Sequence, residues 1–95
     1  MPFWVLFGYY EDMTKIGEKI WVAAVFKNGS VMPRKFLWNG KELAINKIAL
    51  NYSKKIGNAI IRFFSVEVFG TASVYQLSFN SNDMVWKLEA VNEDY

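Results

Sequence analysis

The 95-residue sequence predicts an all-β fold, a small antiparallel meander of about five or six strands. Three observations point there. Apolar residues recur at every second position in several stretches, the period of a strand with one face buried. Asn-Gly occurs twice between such stretches, and it suits a two-residue hairpin turn because both central residues there take positive φ. No run of helical period carries a cap at each end.

Residues 1–12 begin Met1-Pro2-Phe3-Trp4-Val5-Leu6-Phe7-Gly8-Tyr9-Tyr10. This apolar segment reads either as an extra strand, with Phe3, Val5 and Phe7 inward, or as a homo-oligomer interface through Phe3, Trp4, Leu6 and Phe7. Met13 to Lys19 has room for one helical turn. Glu18 to Phe26 then places Ile20, Val22, Ala24 and Phe26 on one parity, and Asn28-Gly29 turns the chain. Pro33 has no N–H for a ladder and belongs at a strand start, an edge or a bulge, so the next strand begins near Arg34 and runs through Phe36 and Trp38. Asn39-Gly40 leads into Lys41 to Leu50. There Leu43 and Ile45 share one parity and Ile48 and Leu50 the other, a switch that predicts a β-bulge near Asn46-Lys47.

Tyr52 to Asn58 contains Ser53, two lysines and Gly57 and reads as a polar loop. Ala59 to Phe69 is almost continuous in β-formers, the mark of a long central strand, and Gly70-Thr71 closes it. Tyr75, Leu77 and Phe79 alternate with Gln76 and Ser78 in the next strand. After the turn cluster Asn80-Ser81-Asn82-Asp83, the residues Met84, Trp86, Leu88 and Ala90 alternate in a last strand, and residues 92–95 form a frayed tail. A chain of this length makes one domain over residues 1–95. The bulge would curl the meander into an open SH3-like or similar barrel. Its interior would be filled by Ile20, Val22, Phe36, Trp38, Leu43, Ile45, Phe64, Val66, Tyr75, Leu77, Trp86 and Leu88.

Composition excludes several chemistries. The chain has neither cysteine nor histidine, so disulfides, thiolate metal sites, thiol nucleophiles and every imidazole-based triad are ruled out. Phosphate-binding glycine loops, serine elbows and calcium-loop spacings are also absent from the sequence. No catalytic residue, metal site or cofactor is predicted. The apolar N-terminal segment is too short to span a bilayer and lacks a basic flank, which predicts a cytoplasmic protein without a membrane span.

The ordered series Pro33-x-x-Phe36-x-Trp38-x-Gly40, Ile45, Ile48, Phe64-Ser65-Val66-Glu67, Tyr75-x-Leu77 and Trp86-x-Leu88 resembles a family of small bacterial all-β domains of unknown function. In that family a Pro-x-x-Phe-x-Trp-x-Gly hairpin precedes an aromatic-rich strand and a closing Trp strand. The resemblance covers about Glu18 to Val91. Some members are encoded near translesion DNA polymerases, so the resemblance implies a nucleic-acid setting. The chain departs from the pattern at Asn39-Gly40-Lys41, where relatives are often Arg-rich, and at Tyr52, where Trp is more usual.

Charge is unevenly spread. Met13 to Val66 carries ten bases against Glu18 and Glu42, a balance of +8, whereas Glu67 to Tyr95 carries Lys87 against five acids, a balance of −4. A candidate binding face for single-stranded nucleic acid consists of Arg34, Lys35, Lys41, Lys47, Tyr52, Lys54, Lys55 and Arg62, with Phe63 or Trp21 as further stacking surfaces. The competing reading makes the lysines solubilising residues on outward strand positions. Arg62, beside Phe63 and Phe64, reads as an anion contact, as a snorkelling edge residue, or as a partner of Glu67 or Glu89. Glu67 is the carboxylate embedded in an apolar run. It would serve either as an acid or base, together with Arg62 or a tyrosine, or as the cross-strand partner of a Lys or Arg. The expectation is a non-catalytic binding module whose partner is an unknown protein or nucleic acid. The alternatives are an oligomerisation or protein-interaction domain and a small carboxylate-dependent enzyme.

Overall fold

A computed structural model describes residues 13–92. The segment 1–12, expected as an extra strand or an interface, lies outside the described residues, as does the tail 93–95. Among the described residues, seven antiparallel strands form one sheet: β1 (Thr14–Lys19), β2 (Trp21–Lys27), β3 (Ser30–Trp38), β4 (Lys41–Ile56), β5 (Ala59–Val68), β6 (Val74–Asn80) and β7 (Val85–Asn92). The lateral order is β1-β7-β6-β5-β4-β3-β2. From β2 to β7 this is the expected meander, and β1 adds itself to the far edge beside β7.

Among the described residues the ladder is folded over and does not close into a barrel; the sheet has seven strands where five or six, curled into an open SH3-like or similar barrel, were expected. Its two edge strands, β1 and β2, are consecutive in the chain and separated only by Ile20, whose backbone N–H donates to the Trp86 carbonyl at 3.1 Å. Register shifts at Asn46 and Ala49, between Ile45 and Lys47 and between Ile48 and Leu50, bend the long strand β4. Its first residues pair with β3 and the rest with β5. The bulge predicted near Asn46-Lys47 is therefore present, with a second one three residues later. The fold lays β2 and β3 across the inner side of β6. Phe36 and Trp38 meet Tyr75 edge-on at centroid distances of 5.3 and 6.1 Å, and Phe26 meets Phe79 at 5.7 Å.

All twelve residues expected inside belong to the core or pack against it. Val31, Val68, Phe79 and Val91 join them, and Pro33 is fully buried. Both Asn-Gly pairs turn hairpins with positive φ at each residue, 52° and 78° at Asn28-Gly29 and 53° and 72° at Asn39-Gly40.

Several local expectations are corrected. Met13 to Lys19 is not a helical turn, because residues 14–19 form β1 with Thr14 opposite Val91 and Lys19 opposite Lys87. Glu18 to Phe26 breaks at Ile20 into parts of two strands. The strand after the first turn begins at Ser30 rather than Arg34. Pro33 fits inside it because it sits at a register shift against β2 where β4 is not yet paired with β3. Tyr52 to Asn58 is no loop: β4 continues to Ile56, its polar residues paired with Ile60 to Phe63, and only Gly57 and Asn58 turn. Met84 is exposed in the turn with φ 57°, and Asn92, expected in the tail, pairs with Val74. Among the described residues no helix is long and apolar enough to cross a membrane.

Candidate functional site

Directly opposed residues in neighbouring strands project from the same face, so the registers sort the charged and aromatic side chains. On β5, Phe64, Val66 and Val68 point into the core, and Ile61, Phe63, Ser65 and Glu67 fall by parity on the outer face, where Ser65, like Ser78 beside Phe63, is itself buried. The outer row through Phe63 runs Tyr52 (β4), Phe63 (β5), Ser78 (β6), Lys87 (β7) and Lys19 (β1). It crosses five strands, about 19 Å at the usual inter-strand spacing.

One end of this row is aromatic and the other cationic. Tyr52 and Phe63 stack with centroids 5.1 Å apart and planes 17° from parallel. Gln76 Nε2 donates to Tyr52 Oη at 3.3 Å from the next outer row and steadies the ring. Lys54 lies opposite Ile61 on one side of the row, and Lys47 lies opposite Glu67 on the other, beyond Lys15 opposite Ala90. The strand positions of this face thus carry Lys15, Lys19, Lys47, Lys54 and Lys87 against Glu67 and Glu89. Ser78 Oγ donates to Glu89 Oε2 at 2.6 Å, which occupies that carboxylate locally. A groove of about 330 Å³ follows the face, floored by Ile56, Ile61 and Phe63 and flanked by Lys19 and Lys87, with Asp83 at its turn end.

The eight predicted face residues are not brought together. Lys47, Tyr52 and Lys54 share the outer face just described. Arg34 and Lys35 belong to β3 and Lys41 opens β4, and Lys35 Nζ is paired with Glu42 at 3.3 Å. Lys55 and Arg62 stand on the inner-face parity, opposite Ile60 and Ser53. Sequence reasoning left out Lys15, Lys19 and Lys87. Lys87 falls in the acidic part of the chain, and its approach to Lys19 depends on a β1–β7 pairing between opposite ends of the chain.

No family model, no curated protein and no solved structure matches this chain.

Arg62 shares neither of the expected carboxylate partners. It alternates with Phe63 and lies opposite Phe79, whereas Glu67 and Glu89 are on the outer face. The same parity separates Arg62 from Glu67, so the two cannot act on one substrate from the same side of β5. Glu67 faces Lys47, which gives it the cross-strand cationic neighbour expected for a structural role. Among the described residues no cluster of three His, Cys, Asp or Glu side chains is placed to hold a metal ion.

Proposed function

We propose that this chain is a non-catalytic binding module that takes single-stranded nucleic acid across the outer face of β4, β5, β6, β7 and β1. The supporting observation is the single row from the Tyr52–Phe63 stack to Lys87 and Lys19. A stacked, partly exposed aromatic pair on a sheet face gives bases a π surface, and lysines beside it neutralise phosphates without reading sequence. The likeness of the Phe36/Trp38/Trp86 series to small domains encoded near translesion polymerases agrees with this setting.

Fluorescence anisotropy with labelled oligothymidylate tests the reading. If about four lysines each neutralise a phosphate, log K falls against log salt with a slope of roughly −3. Lys19→Glu combined with Lys87→Glu weakens binding at every salt concentration, and Tyr52→Ala weakens it with the slope unchanged. Absence of binding at low salt, or a flat salt dependence, rejects the proposal.

A second reading has its own observation. The outer side of the β2–β3 hairpin sets Trp21 beside Leu37 and Val25 beside Met32, and Trp21 and Leu37 remain 55% and 43% exposed. Such a patch suits a protein partner or a second copy of the chain. Light scattering across a concentration series, on the wild type and on Trp21→Ser, decides whether it associates: a mass that rises with concentration and falls back in the variant supports the reading, and a constant monomer mass removes self-association.

A further inference from the structure

A different part of the molecule carries a ligand signature of its own. Two clefts of about 400 and 410 Å³ adjoin each other and share Ser30, Val31 and Arg62. Each is in the size range of small-molecule sites. Arg62 stands between them, half-buried on the inner-face parity, with Ser53 opposite on β4 and Phe79 opposite on β6. It has no hydrogen bond or ion pair with any other described residue. A guanidinium is charged at every accessible pH, and holding one partly out of water without a counter-charge is unfavourable.

The surroundings specify what would satisfy it. The first cleft offers the Asn51 amide and the Ser53 hydroxyl beside an apolar floor of Val31, Ile48 and Phe64. The second offers Phe26, Phe79 and Met84 as apolar walls and Lys27 as a further cation at its rim. Among the described residues, neither cleft is lined by an aspartate or a glutamate. We infer that the Arg62 clefts form a binding site for a small organic anion, its carboxylate or phosphate head on the Arg62 fork and its apolar body against Phe26, Phe79 and Met84. The fork suits such a head because two parallel N–H groups meet two oxygens at once. Arg62, Ser53 and Phe79 stand on the inner-face parity, and Tyr52 of the outer face borders the first cleft only; the site does not depend on nucleic-acid binding by the outer face.

Backbone amide chemical shifts of the full chain, titrated with octanoate, octanol and inorganic phosphate, test the inference. Octanoate is expected to shift Ser30, Val31, Ser53 and Phe79 saturably. Octanol, with the same tail and no charge, binds at least about tenfold more weakly, as does phosphate, which lacks the tail. Arg62→Gln lowers octanoate affinity about tenfold or more, and Arg62→Lys, which keeps the charge and loses the fork, falls between. Equal binding of octanol and octanoate, shifts mapping elsewhere, unaltered affinity in Arg62→Gln, or no saturable shift overturns it. The wild-type comparison of octanoate with octanol requires no variant to fold. Oligothymidylate binding is expected to be the same in Arg62→Gln as in the wild type, so failure of the outer-face reading and failure of this one are told apart.

Discussion

Phe26 on β2 meets Phe79 on β6 edge-on at 5.7 Å, and the contact ties an edge strand to the middle of the sheet. Its two members differ greatly in burial: Phe79 is 3% exposed and Phe26 56%. Phe79 also packs on Trp86 at 4.8 Å. Truncation at Phe79 leaves a cavity under three strands, so Phe79→Ala is expected to cost about 3–5 kcal/mol. Phe26→Ala loses chiefly the ring pair, about 1 kcal/mol. Urea unfolding monitored by tryptophan fluorescence measures both. Equal midpoints for the two variants would show that the fold-over contact is not organised as described.

The second hairpin turn isolates a backbone effect. Gly40 has φ 72°, and a Cβ built there meets no atom within 4 Å. Gly40→Ala therefore creates no clash and is penalised only through its backbone, by about 1–2 kcal/mol. Asparagine tolerates the left-handed region better than alanine does, so Gly40→Asn is expected to retain most of the stability. Thermal melts of the two variants check the order, and an alanine variant as stable as the asparagine one contradicts the assigned turn.

Tyr52 and Phe63 provide a test of the outer face that needs no ligand. Their stack belongs to the part of β4 that composition assigns to a loop, so its energetic reality bears on the register of the whole hairpin. A double-mutant cycle with Tyr52→Ala and Phe63→Ala is expected to give a coupling of about 0.5–1.5 kcal/mol. Coupling near zero would mean that the rings do not support each other in solution.

The parts of this fold legible in the sequence are those where one parity is buried and the other is not. Phe64 and Val66, Leu77, and Trp86 and Leu88 are inward at alternate positions, and the parity switch after Ile45 marks a real bulge. Strand β1 escaped because it is an edge strand: between Lys15, Glu18 and Lys19 only Ile16 packs against the core, too little for a period to emerge. The end of β4 escaped for a related reason, since Ser53, Lys54 and Lys55 are exposed and their strand character comes from β5. The candidate face was legible in its residue types but not in its membership. Whether Lys19 joins Lys87, or Arg62 leaves Lys54, depends on register and parity across strands, and a linear tally of charge contains neither.

Arg62 is a charged residue at a position the fold reserves for an apolar one. Its place on β5 continues the inward series of Phe64 and Val66, so the fold puts an apolar side chain's position under a guanidinium. With no hydrogen-bond or ion-pair partner among the described residues, the half-buried charge gives up part of its hydration without a compensating contact. Arg62→Met has a flexible apolar side chain that can lie between Val31 and Phe79. The substitution is expected to stabilise the protein by about 0.5–2 kcal/mol. For a domain of this size each kcal/mol corresponds to roughly 4–8 °C in the unfolding midpoint. Calorimetry of the ligand-free protein reads the shift directly. A midpoint that falls instead would assign Arg62 a stabilising partner and remove the unpaired charge on which the anion site depends; a midpoint that rises, together with loss of octanoate binding, marks a residue kept for its ligand at the expense of stability.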